Sequence, residues 1–298
     1  MKILVIGSGG RLGAALHREY AASHDCIGLA RGDIDLSSIE SVDAVLRSQS
    51  FEVAINCAAL TNVDYCESHR DEAMLVNAEA PARIAEICRA KGARLIHIST
   101  DYVLDGKTEG PLPEDIEARP LSVYGESKLA GEQRVIETDP GFLAVRVSWV
   151  FGPDRPSFVD MILARARENE RVEAIADKFS SPTYTIDFAA DLEPLLGRRD
   201  AGGVLHLCNE GGTSWREYGQ HALQSAAAAG IELKTTTVHP IQLADLRNFV
   251  AERPLHTVLS TARYRALSGR SPRPWREAVD DYVRSHVVAR YADEPAAP

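Results

Sequence analysis

Short apolar runs alternating with stretches of helical spacing, and a glycine loop directly behind the first run, predict an α/β fold built on a doubly wound parallel sheet. The runs Ile3 to Ile6, Cys26 to Leu29, Val53 to Ile55, Leu95 to Ile98 and Leu143 to Val147 are short and mainly apolar, broken only by His97 and Arg146, as strands buried on both faces are. Between them, Leu12 to Ala22, Ile39 to Arg47, Ala73 to Lys91 and Ser127 to Thr138 carry helical spacing. After Val150 the pattern changes. Gly152-Pro153-Asp154-Arg155-Pro156 is a turn-rich passage that opens a second region, with helices expected over Phe158 to Glu168 and Ile186 to Leu196. Ser214-Trp215-Arg216-Glu217 offers a capping box for a helix running to about Ala229. Pro272, Pro274 and Trp275 precede a last helix ending near Val288, and the tail from Ala292 should fray.

With 298 residues, 45% hydrophobic and 26% charged, the chain is long enough to bury a sizeable core and to divide into two lobes. A formal net charge of −10 opposes a nucleic-acid or anionic-membrane surface, because like charges repel. The five cysteines form no CxxC pair and are odd in number, which points to a reducing cytoplasm rather than a disulfide framework. Neither cysteines nor histidines show metal-ligand spacing, so no metal is expected. The first apolar run is too short for a signal peptide, and no run approaches a membrane span.

Gly7-Ser8-Gly9-Gly10-Arg11-Leu12-Gly13 lies between the first strand and the first helix, the setting in which glycines admit a dinucleotide's pyrophosphate to a helix N-terminus. Gly7, Gly9, Gly10, Arg11, Leu12 and Gly13 are therefore cofactor candidates. At the end of the second strand, an arginine accommodates a 2′-phosphate and a carboxylate binds a 2′-hydroxyl. Arg31 comes first and favours NADPH. Asp33 follows about twenty residues beyond the loop, the distance of the NADH-type acid, so NADH stays an alternative. Arg31 as a plain surface charge and Asp35 as a helix-starting residue also stay open, with Asp35-Leu36 otherwise flanking the adenine. Cys57, Ala58 and Ala59 end the next strand with small side chains that let backbone approach a cofactor.

Ser99-Thr100-Asp101-Tyr102 closes the following strand, at the end where ligands collect in open α/β sheets. Tyr124 and Lys128 stand four apart at a helix start and so share one face. A carbonyl accepting hydride develops negative charge on oxygen, and a phenol can donate the neutralising proton. Bringing a tyrosine from its ordinary pKa near 10 to about 7 asks for about 4 kcal/mol, which a nearby Lys128 ammonium could supply. Thr100 would hydrogen-bond the same carbonyl oxygen. His97 reads as a core residue, since Tyr124 already fills the acid position.

The ordered set of motifs resembles the extended short-chain dehydrogenase/reductases and, within them, the dTDP-4-dehydrorhamnose reductases. The stretches that carry it are residues 7 to 13, Asn56 to Asp64, Val76-Asn77, His97 to Val103, Tyr124 to Glu132 and Arg146 to Gly152. The resemblance implies a Rossmann-type sheet over residues 1–150, rejoined by segments near 183–208, and a smaller discontinuous C-terminal substrate lobe within 151–298. It implies NADPH-dependent reduction of the 4-keto group of dTDP-4-dehydro-β-L-rhamnose or a related nucleotide-sugar, with Thr100, Tyr124 and Lys128 catalytic. It places Thr61, Val63, Asp101, Tyr102 and Trp149 near the sugar, although Trp149 also suits a core aromatic at a domain junction. Arg253 would reach a phosphate or cap carbonyls, and a homodimer is compatible with the family. The second half departs from the pattern. Lys178 and Ser180 stand within Asp177 to Thr183 where glutamine and glycine are usual, Ser157 replaces an asparagine, and the segment Arg253 to Thr257 differs from its usual Arg-Pro, Asn-Ser form. Two alternatives accompany this reading: a non-catalytic dinucleotide-binding subunit resembling the methionine adenosyltransferase β subunit, and an epimerase or dehydratase of the same superfamily.

Overall fold

In the computed structural model, which describes residues 1–246 and 249–292, the apolar runs become neighbouring strands of one sheet. The strands are β1 (Lys2–Ile6), β2 (Asp25–Leu29), β3 (Val53–Asn56), β4 (Arg94–Thr100) and β5 (Leu143–Val147). Helices α1 (Arg11–Ala21), α2 (Ile39–Ser48), α3 (Val63–Ser68), α4 (Arg70–Met74), α5 (Ala80–Ala90) and α6 (Val123–Thr138) connect them. The later part holds β6 (Val150–Phe151), α7 (Phe158–Glu168), β7 (Val172–Ile175), β8 (Phe179–Ser180), β9 (Thr183–Tyr184), α8 (Thr185–Leu192) and β10 (Gly203–His206). It ends with β11 (Thr213–Ser214), α9 (Trp215–Ala228), β12 (Val238–Ile241), β13 (His256–Thr257), α10 (Ala262–Ser268), α11 (Trp275–Tyr282) and α12 (Val288–Ala292). The expected frayed tail, from 293 onward, lies outside the described residues.

The main sheet runs β10-β5-β4-β3-β1-β2 with every pairing parallel, so the strand order turns back between β1 and β3. Its apolar strands are buried on both faces because their side chains alternate between two helical layers. Ile3 and Val5 pack with Leu16, Phe188 and Leu192 on one face, and Leu4 and Ile6 pack with Val42, Leu46 and Ile84 on the other. A separate core joins Phe151, Tyr184, Tyr218, Trp275 and Tyr282, rings contributed by the later elements. The aromatic-rich second half therefore builds its own apolar centre, while β10 returns to the edge of the main sheet.

Three elements differ from their sequence-level outlines. The single helix expected over Ala73 to Lys91 is α4 and α5 joined by a π-helical turn over Leu75–Glu79. The cause is Asn77, whose amide is drawn inward to accept from Leu60 N at 2.8 Å and to donate to Leu60 O at 3.0 Å and Ser127 Oγ at 3.0 Å. Such bulges mark places where an inserted residue re-aims a side chain. Helix α6 starts at Val123 rather than Ser127, because the Ser122 hydroxyl accepts from Gly125 N and caps it. The last helix continues past Val288 to Ala292 through a second π turn, Val283–Val287.

Helix α6 is fixed to the sheet by a buried ion pair. Arg146 of β5 donates to Glu132 of α6 through Nη2 at 2.6 Å and Nε at 3.0 Å, and Ser99 Oγ donates to the same carboxylate at 2.8 Å. Both charged side chains are 3% exposed. Removing one partner from such a pair strands the other charge, at a cost of about 3 to 5 kcal/mol. Glu132→Gln should therefore lower the midpoint of urea unfolding strongly, and Glu132→Met with Arg146→Met together should lower it less than either single change. A Glu132→Gln protein as stable as the wild type would refute this account of the anchor.

Candidate active site

The glycine loop meets the end of β3 so closely that side chains are barred. Gly7 adopts φ +88°, and a Cβ there would stand 2.7 Å from Ala58 N. A Cβ on Gly13 would stand 2.2 Å from Gly7 O, so that glycine serves helix packing rather than the cavity wall. Gly7 N and Ser8 N both donate to Leu29 O, tying the loop to the end of β2. A cavity of about 890 Å³ opens here, at the turning point of the strand order, and extends to the ends of β4 and β5. This is the position at which open α/β sheets bind ligands. No side chain caps the N-terminus of α1, so its first-turn N–H groups face an anion unopposed.

The two acids expected to compete with Arg31 are engaged locally. Asp33 Oδ2 accepts from Ala30 N at 2.8 Å, and Asp35 Oδ1 accepts from Ser37 N at 2.9 Å and Ser37 Oγ at 2.6 Å. The Ser37 bonds hold the exposed Asp35 carboxyl below its ordinary range. Arg31 lines the cavity and makes no salt bridge among the described residues, its charge reaching Asp35 only at a distance. The donor set fits a phosphorylated dinucleotide.

Thr100, Tyr124 and Lys128 line the other end of the same cavity. Burial pushes the Tyr124 phenol well up from its ordinary value, while a hydrogen bond with Thr100 draws it partly back. Lys128 is 2% exposed, and burial pushes its amine down to about 8. Its Nζ donates to Ile98 O at 2.6 Å and lies 3.3 Å from His97 Nε2. The ammonium is thus anchored on β4 rather than against the phenol, a departure from the expectation that it lowers the tyrosine directly. His97 is fully buried and held neutral by burial and by the neighbouring Lys128. Its other ring nitrogen lies 3.2 Å from Asn56 Nδ2, so the core histidine braces the lysine.

The later elements supply the remaining wall. Trp149 takes φ +41°, the sole non-glycine residue with positive φ among the described residues, and stacks on Trp215 with centroids 4.1 Å apart. Its indole Nε1–H is buried without a partner. Asp101 Oδ2 accepts from Thr257 Oγ1 at 2.6 Å and Ser180 Oγ at 3.0 Å, and Ser180 lies 2.5 Å from Ser148 Oγ. Tyr102 packs edge-on against Tyr124 at 5.5 Å, with Lys178 Nζ 5.1 Å from the centre of its ring.

Of the residues singled out from sequence, Gly7, Gly9, Gly10, Arg11, Leu12, Arg31, Asp35, Leu36 and Cys57 to Ala59 line the cavity. So do Thr61, Val63, Asp101, Tyr102 and Trp149. Gly13 and Arg253 do not. Arg253 forms a two-pronged pair with Asp64, Nη2 to Oδ2 at 2.7 Å and Nη1 to Oδ1 at 3.1 Å, and these bonds hold that carboxyl down to about 2. Sequence reasoning missed Ser148 and Arg155 on the wall. Arg155 was visible only as one residue of a turn, and nothing in its spacing ties it to the glycine loop.

A family model described as the RmlD substrate binding domain matches residues 1–288. A dTDP-4-dehydrorhamnose reductase of Mycolicibacterium smegmatis is 35% identical over 99% of this chain and 88% of its own length. One of Mycobacterium tuberculosis is 36% identical over 93% and 91%. The crystal structure of the Bacillus anthracis dTDP-4-dehydrorhamnose reductase in complex with NADP superposes with a TM-score of 0.87, at 28% identity over 95% of this chain and 98% of that one. With the glycine loop, the threonine and the tyrosine-lysine helix meeting in one cavity, the chain belongs to the RmlD family of dTDP-4-dehydrorhamnose reductases.

Proposed function

We propose that this protein reduces the 4-keto group of dTDP-4-dehydro-β-L-rhamnose, or of a closely related nucleotide-linked deoxysugar, with NADPH. The observation that carries the reading is the convergence of Thr100, Tyr124 and Lys128 on the cavity that begins at the glycine loop. The bound dinucleotide supplies a hydride. The chain's own residues manage the charge that hydride addition leaves on the ketone oxygen. Tyr124, protonated at neutral pH because burial disfavours its phenolate, donates the proton to that oxygen. Thr100, whose one O–H donates to Asp101 Oδ1 at 3.2 Å, would turn it to the same ketone oxygen. Lys128 keeps a cation in the cavity floor below pH of about 8, with two directions fixed by Ile98 and His97 and a third N–H free for the reacting groups.

Trp149 walls the sugar site in this reading. A left-handed backbone at a bulky residue and an unpaired buried indole N–H are both unfavourable, and such outliers persist where surrounding structure enforces them for function. The regulatory-subunit alternative is not favoured, since the curated relatives and the solved structure compared above are reductases by name. We place the enzyme in the cytoplasm, in keeping with five free cysteines. No helix among the described residues is long and apolar enough to cross a membrane.

Tyr124→Phe should reduce kcat on the keto-sugar by about 10² to 10⁴ while NADPH still binds; full turnover by this variant would sink the mechanism. Wild-type protein that oxidises no NADPH with dTDP-4-dehydrorhamnose would sink the substrate. Because the Lys128 amine is pushed down to about 8, it is charged below that pH and neutral above it, so kcat/KM should fall as pH rises through about 8. Stability has its own signature. Between pH 8 and 10.5 the unfolded chain holds the lysine proton and the folded chain has released it, so wild-type stability rises with pH there. Lys128→Met should be inactive yet more stable than wild type at pH 7, by up to about 3 kcal/mol, with the gap closing toward pH 10. Equal pH dependence of unfolding in the two proteins would overturn that assignment.

A further inference from the structure

Two arginines cross between the glycine loop and the turn that follows β6. Arg11, at the start of α1, donates from Nε to Arg155 O at 3.3 Å and from Nη2 to Pro156 O. Arg155 makes the reciprocal contact, its Nε donating to Gly9 O at 3.1 Å. The turn is held in place from both sides: Asp154 pairs with Arg18 of α1, and Pro153 O accepts from Arg290 Nη2 at 3.0 Å. Arg155 is thereby fixed on the cavity wall beside the loop, although it belongs to a segment far along the chain. Its neighbours Arg18 and Arg290 each have a carboxylate. Arg155 has none among the described residues, and only one of its five N–H groups has a protein acceptor.

We propose that Arg155 is a cofactor-anchoring residue, a cation that closes over the glycine loop and pairs with the diphosphate of the bound dinucleotide. The inference rests on the dinucleotide reading given above. A guanidinium offers a planar fork that matches phosphate oxygens, and here the fork is pinned by Nε, so little freedom is lost when the remaining N–H groups bind. The glycine loop and the uncapped α1 N-terminus supply backbone N–H groups on one side of the anion. Arg155 supplies charge from the other side with four N–H groups uncommitted, whereas Arg11 spends Nε and Nη2 on the backbone of Arg155 and Pro156. Dinucleotide binding would then tie the turn after β6, which leads into the second core, to the first.

The test is dinucleotide affinity measured by the fluorescence of bound NADPH and NADH, with thermal unfolding of the nucleotide-free proteins alongside. Arg155→Gln should weaken binding of both dinucleotides about tenfold, the effect of losing one charge-assisted contact, and leave nucleotide-free unfolding unchanged. Arg155→Lys should recover part of the loss. Unchanged affinity in Arg155→Gln overturns the proposal, and a lowered unfolding temperature in that case marks Arg155 as a staple between loop and turn. A loss confined to NADPH overturns the diphosphate assignment and moves the contact to the 2′-phosphate. Wild-type protein that binds neither dinucleotide overturns the cofactor reading together with this inference.

Discussion

The buried pair of Glu132 and Arg146 sets where helix α6, with Tyr124 and Lys128, lies on the main sheet. Tyr124, Lys128 and Glu132 recur at four-residue intervals and so project from one face of α6. Of the three, only Glu132 is held by charge, through a two-pronged contact with the arginine of β5 and a third bond from Ser99 of β4. Removing two charges from water is costly, and the cost is offset only when the oxygens are fully bonded. Here each carboxylate oxygen has a donor at 3.0 Å or less. That geometry admits one placement of α6 over the ends of β4 and β5, and the placement brings Tyr124 to Thr100 and Lys128 to Ile98 and His97.

Close backbone contacts enforce the same placement. A Cβ on Gly131 would stand 2.1 Å from Asn77 O, and one on Gly125 would stand 2.3 Å from Tyr102 O. The two glycines therefore let α6 rest directly on the π turn at one level and on the turn after β4 at the other. The π turn in its place presents Asn77 to both Leu60 and Ser127, so the loop behind β3 that borders the cavity is bonded to the helix that carries Tyr124 and Lys128. The two ends of the cavity wall are thus one bonded unit.

The elements that could be read from the sequence are those whose signal is local. Short, mainly apolar runs mark five strands of the main sheet, and the glycine loop from Gly7 marks the cavity because its setting between strand and helix carries its own reason. Tyr124 and Lys128 share a face by helical spacing, a weak signal alone that gains weight from its order after the glycine loop and Thr100. What escaped depends on partners distant in the chain. The break at Leu75–Glu79 leaves no gap in helical spacing, and the Asn77 amide within it is bonded to the backbone of Leu60, outside the helix. The Lys128 amine was expected near the phenol, but β4 offers it a carbonyl first. Arg253 and Asp64 are 189 residues apart, so a charge that looked free for a phosphate is already paired. The bond that Asp33 accepts from Ala30 N is set by the turn after β2, which spacing alone does not display.

The departures in the second half gain a physical sense from Asp101. Ser180, where glycine is usual, adds a hydroxyl that donates to Asp101 and lies against Ser148, and Thr257 donates to the same carboxylate oxygen. Lys178, where glutamine is usual, is buried beside this cluster, donates to Pro254 O, and places its cation near the face of Tyr102. Its amine is pushed down to about 8 by burial and is supported by the charge of Asp101. The substitutions thus introduce a cation and a hydroxyl around one carboxylate at the end of β4, one residue from Thr100. They strengthen the joint between the later strands and the catalytic end of the sheet without adding a group to the cavity wall. The divergence of this segment therefore bears on how Asp101 and Tyr102 are held on the cavity wall, while Tyr124 and Lys128 stay with α6.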